Sequence, residues 1–177
     1  MIYCFKNTQL GKSVMLLLLM VCVAINTTNA QGKFAGSLKG FIGKSFATTK
    51  EIKALQGWTF REGNVITSID DPETITVDVF KKGSTWMAFF SYMEDTASRV
   101  FVISDVIEVK NVAKGWEVKA AFCRQNKIEN VEIVALVKST PAEFMTTVKQ
   151  AWRYNRDKKR VESLAIKGID CVNVGLD

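Results

Sequence analysis

The sequence predicts an α+β fold: a mostly antiparallel sheet of about seven or eight strands, a short N-terminal helix, and one amphipathic C-terminal helix packed on the sheet. Three observations lead there. From Trp58 onward apolar and polar residues alternate with a period of two, as half-buried strands require. These segments follow one another through turns too short for a crossover helix, which favours antiparallel neighbours over βαβ units. Near residues 141–154 the spacing lengthens to that of a helix.

The first 30 residues read as a secretory leader. Lys6 and Lys12 give a positive start, and Val14 to Ile25 is an unbroken apolar run. Thr28 and Ala30 then place small residues before a cut at Gln31. The apolar run is too short to span a bilayer comfortably, and no stable membrane insertion is expected after cleavage. Residues 31–46 form a glycine-rich arm with Phe34, Leu38, Phe41 and Ile42 at helix-like spacing among Lys33, Lys39 and Lys44. Its glycines weaken any membrane-touching helix and favour an arm that packs its aromatics on the domain. The globular domain is then residues 47–177. Thr48 with Glu51 makes a capping box for a short helix ending at Gly57.

Strand signals come next. Trp58 to Phe60 and Val65 to Ile69 read as a small hairpin, and Asp70–Asp71–Pro72–Glu73 as a turn. Glu73 to Phe80 alternates, and Thr85 to Met93 is apolar on both faces, which suits a strand covered on both sides. Arg99 to Val109, Trp116 to Arg124 and Val131 to Lys138 continue the series. Thr140, Pro141 and Glu143 then supply N-cap, N1 and N3 of a helix, with Phe144, Val148 and Trp152 four apart along one stripe. A hairpin of Val161–Ile166 and Asp170–Val174 closes the chain.

Of four cysteines, Cys4 and Cys22 leave with the leader, so Cys123 and Cys171 remain. In an oxidising compartment two cysteines make one disulfide, here stapling the last strand to the middle of the domain. The expected location is therefore periplasmic or secreted.

Composition excludes much chemistry. The chain has no histidine, which removes the usual general base and the nucleophile systems that depend on it. No metal or cofactor site and no catalytic residue are assigned, and no enzymatic activity is expected. Glu62, Glu94, Asp105, Glu108, Glu117 and Glu132 keep one alternative open, a carboxylate-based hydrolase. Losing Lys6 and Lys12 leaves 22 basic against 18 acidic residues, a net charge of +4, too low for a dedicated nucleic-acid binder. The basic run Arg153, Arg156, Lys158, Lys159 and Arg160 is a candidate patch for an anionic partner. Trp58, Trp86 and Trp116 begin strands and are candidates to border a groove. The function these features suggest is an exported, non-catalytic binding protein, of inhibitor or immunity type, acting on an envelope or secreted partner. A carrier of a small apolar ligand between helix and sheet is the other alternative.

Overall fold

Thirteen strands, most of them paired as the alternation of their side chains demands, account for nearly all the regular structure of the computed structural model, which describes residues 38–68, 70–95, 97 and 99–174. The expected leader and the first part of the expected arm lie outside the described residues. Strands β1 (Ser45–Phe46), β2 (Thr59–Val65), β3 (Ile75–Lys82), β4 (Thr85–Asp95) and β5 (Val100–Val109) form one sheet, in the order β1-β5-β4-β3-β2. Strands β6 (Trp116–Ala120), β9 (Ile133–Lys138), β11 (Val148–Asn155) and β12 (Arg160–Leu164) form a second, in the order β12-β11-β9-β6. A small third sheet takes β10 (Phe144–Met145), β13 (Ile169–Val172), β7 (Cys123–Gln125) and β8 (Ile128–Glu129) in that order. All pairings are antiparallel.

The first two sheets face each other and share the main core. Val77, Val79, Phe90 and Ile107 of one meet Val118, Val134, Leu136 and Tyr154 of the other. The rings of Phe90 and Tyr154 stack across the interface, 4.6 Å apart and 6° from parallel, and both are fully buried. The Tyr154 hydroxyl is satisfied by Ser104 Oγ at 2.9 Å, as a buried phenol requires.

Each large sheet is covered on its other face as well. Phe80, Met87, Phe89 and Ile103 lie beneath Phe41, Phe46, Ile52 and Leu55 of the N-terminal segment. Ile133, Ala135, Val137 and Ala151 lie beneath Met145, Ile169 and the two cysteines of the small sheet. This explains why β4 and β9 are apolar at nearly every position.

The two expected helices are absent, and the fold is nearly all β. Residues 141–154 hold a bend, β10 and β11. A spacing of four fits one face of a helix and also one face of a strand, since four is a multiple of two. A bulge between Val148 and Gln150 shifts the register, and β11 is covered on both faces, so its alternation is blurred. The capping residue still acts: Thr140 Oγ1 accepts the Ala142 N–H at 3.3 Å, in a turn that leads to no helix.

At the N-terminal end only 3-10 turns form, at Thr49–Glu51 and Lys53–Leu55. Glu51 does reach back, accepting the Ala47 N–H at 3.0 Å and the Thr48 hydroxyl at 3.3 Å. Ile52, with ψ of 89°, ends the first turn so that Ile52 and Leu55 can both be buried.

Two expected hairpins are also redrawn. Residues Thr59–Val65 are one strand bearing a bulge between Phe60 and Glu62. The β12 and β13 strands belong to different sheets, and β13 pairs with β10 and β7 instead. The real hairpin there joins β11 to β12.

Candidate functional site

The predicted disulfide is present. Cys123 and Cys171 stand directly opposite each other on β7 and β13, with sulfurs 2.01 Å apart. Arg124 and Asp170, the next opposed pair, form a two-pronged ion pair at 2.6 and 3.0 Å. Asn126 and Lys127 both take positive φ, as the tight turn joining β7 to β8 needs.

Glu94 is exposed near the end of β4, and the other candidate carboxylates are separated and engaged. Glu62 on β2 accepts the Ala120 N–H of β6 at 2.7 Å and faces Lys119 at 3.7 Å. Burial raises its pKa above the usual carboxylate range, against the pull of Lys119. Asp105 on β5 accepts the Val161 N–H of β12 at 2.7 Å. The first sheet thus sends one carboxylate to each outer strand of the second, satisfying a backbone N–H that has no strand beside it. Glu108 pairs with Lys110, Glu117 with Ser139, and Glu132 with Arg156. Among the described residues no three acidic or cysteine side chains gather in a way that would hold a metal ion.

The basic run sits on the β11–β12 turn, where it meets acids from elsewhere in the chain. Arg156 bonds Asp71 at 3.0 Å, Glu132 at 2.6 Å and the Ile66 carbonyl at 2.8 Å. Lys159 holds Glu73 at 2.6 Å and lies 3.8 Å from the centre of the Tyr92 ring. Lys158 and Arg160 share Glu162, at 2.9 and 3.2 Å, and Arg153 donates to Gln125. Glu162 is held down to about 2 by the Lys158, Asn155 and Arg160 bonds.

The three tryptophans divide. Trp58 packs in the layer outside the first sheet, whereas Trp86 and Trp116 belong to the core between the two large sheets. Both stand at one end of the sandwich, where β2, β4, β6 and β11 begin and β3, β5, β9 and β12 end. The turns here are bonded together: Val112 N–H to the Ser84 carbonyl at 2.8 Å, and Ser139 N–H to the Gly115 carbonyl at 2.9 Å. Gly115, with φ of 81°, and Gly83, with φ of 58°, take backbone conformations that side chains disfavour.

Cations crowd this end. Lys81 Nζ lies 5.1 Å from the Trp86 ring centre and the Arg61 guanidinium 5.9 Å, while Lys149 Nζ lies 5.9 Å from Trp116. Lys138 stands opposite Trp116 across the β6–β9 pair, so both project to the same face. Lys82 ends β3, and Lys114 lies in the turn before β6. Among the described residues none of these six cations forms an ion pair. Beside Lys149 lies a pocket of about 110 Å³, with Val109, Val112, Trp116 and Leu136 as apolar walls and Lys149 and Gln150 as polar ones.

The six are scattered from residue 61 to residue 149, so no run of charge marks them in the sequence. One signal was available: each lies in or near the end of a strand or in a turn, and successive antiparallel strands bring alternate turns to the same end. Comparison with protein-family models, with curated proteins and with solved structures finds no match to the chain.

Proposed function

We propose that this protein is an exported, non-catalytic binding protein that engages an envelope or secreted partner through its surface. The observation that carries the reading is the gathering of unpaired cations around Trp86 and Trp116 at one end of the sandwich. Unpaired charge beside the partly buried Trp116, with Trp86 buried beneath, is the composition of a recognition patch, where electrostatics steer and aromatics anchor. At the opposite end, the cations of the β11–β12 turn are instead paired with acids.

Two further points support it. The interior is filled by the stacked Phe90 and Tyr154 rings, and the pocket is well below the ~300–1,000 Å³ of small-molecule sites. That speaks for surface recognition and against a ligand carrier. The disulfide fits an oxidising compartment, and no helix among the described residues is long and apolar enough to cross a membrane. A periplasmic or secreted location agrees with both and with the leader-like N-terminus.

In-cell cross-linking followed by mass spectrometry tests the proposal. One protein should be recovered reproducibly, with no lipid retained in native mass spectra and no turnover of peptidoglycan. Recovery of a bound lipid, or hydrolysis that disappears in Glu62→Gln or Asp105→Asn, would replace the binding reading with a carrier or a hydrolase.

A further inference from the structure

Resting on that binding reading, we infer that the cationic end of the sandwich is the docking surface, and that its partner is an acidic protein which seats a glutamate side chain in the Trp116–Lys149 pocket. The pocket has two kinds of wall, and glutamate has two kinds of surface. Val109, Val112 and Leu136 offer apolar contact to a short methylene stem, while Lys149, Lys110, Asn111 and Gln150 bring donors to a carboxylate. At about 110 Å³ the pocket has room for a side chain. The surrounding cations Arg61, Lys81, Lys114 and Lys138 lie outside the pocket, where further acids of the same partner surface would meet them.

A membrane surface fits less well. Phe60, beside Arg61, is exposed at this end, but its ring packs edge-on against Phe80, and Val65 stands at the far end of the same strand. A bilayer-binding patch needs apolar residues to insert beside its cations. The pocket also opens between the ends of the strands, with Leu136 and Val109 of the core at its floor, a geometry suited to a single inserted group.

The test uses the chain expressed with its own N-terminal segment, with poly-L-glutamate as the probe and tryptophan emission as the readout. Saturable binding is expected, weakening about tenfold or more between 50 and 300 mM salt as exposed charges are screened. Lys138→Glu combined with Lys149→Glu should raise Kd at least tenfold, and Lys149→Gln should raise it severalfold. Lys138 and Lys149 are exposed, so these replacements leave the core intact. Lys158→Glu with Arg160→Glu, at the opposite end, should change Kd less than twofold. Trp116→Phe should remove most of the emission change while binding, followed by calorimetry, persists.

Unaltered binding in the Lys138/Lys149 variant overturns the inference, as does equal weakening in the Lys158/Arg160 variant. So does capture by phosphatidylglycerol vesicles without affinity for polyglutamate. If cross-linking still recovers one partner when the polyglutamate series fails, the docking surface is wrong and the binding function stands. If cross-linking recovers none, the function itself falls.

Discussion

Tyr154 shows how much one side chain carries in this protein. It fills the centre of the sandwich, stacks on Phe90 and shares a hydrogen bond with Ser104, which also donates to the Phe90 carbonyl at 3.1 Å. Tyr154→Phe keeps the ring and removes the hydroxyl, so a loss of about 1 kcal/mol is expected. Tyr154→Ala leaves a cavity and should cost about 3–5 kcal/mol, both read from urea midpoints. Asp78 carries a different burden. It stands opposite Phe89 on the outer face of the first sheet, and burial pushes its carboxyl up to about 6 from 3.8. Gly63 across the pair leaves it room, since a Cβ there would lie 2.5 Å from Oδ1. A raised folded pKa means that the folded state binds the proton more tightly, so stability falls as pH rises from about 4 to about 6. Asp78→Asn should remove that slope and stabilise the protein at neutral pH by on the order of 2 kcal/mol, measured as Tm against pH. Glu162 acts in the other direction and lower, its stabilisation fading as pH drops from 4.5 towards 2.

At the scale of elements, the open sides of the sandwich are closed by carboxylates. Asp105 reaches β12 and Glu62 reaches β6, each taking up a backbone N–H that a free sheet edge would present to solvent or to another chain. Asp105→Ala should therefore destabilise by about 1–3 kcal/mol and speed hydrogen exchange at Val161. Exchange at Ala120 should stay slow, and the reverse pattern is expected for Glu62→Ala. Strand propensity and turn chemistry were readable here: Asp70–Glu73, Gly83 and Gly115 are turns, and β3, β4, β5, β6 and β9 fall near their expected places. The region 141–155 was not, because its four-residue spacing satisfies both periods and only the two covering layers decide between them. The expected box at Thr48–Glu51 does not form: Thr48 makes no side-chain cap bond, Glu51 takes the Ala47 N–H instead, and the turn ends before Ile52 and Leu55 turn inward.

The described residues of the globular domain stack in four layers, and the disulfide belongs to an outer one. The bond closes a loop across a separation of 48 residues, for which chain entropy gives about 4 kcal/mol. The paired replacement Cys123→Ala with Cys171→Ala should lower stability by up to that amount. The loss of protection from hydrogen exchange should centre on β7, β8, β10 and β13 and spare the Phe90–Tyr154 core. Uniform loss across all layers would show that the small sheet is not separable. Charge is likewise organised at this scale. The conspicuous run at 153–160 is largely neutralised by Asp71, Glu73, Glu132 and Glu162 at one end, while cations from distant turns meet unpaired at the other.

What the residues determined locally was the antiparallel strand content, most turns, the pairing of Cys123 with Cys171 and the lack of any histidine for catalysis. These depend on period, backbone conformation and composition, which are properties of neighbours along the chain. Tertiary structure alone decided that β11 is a strand, that the sheets number three, and which cations stay free. Each of these follows from which faces are covered and which turns share an end, and that depends on strand order, which alternation leaves open.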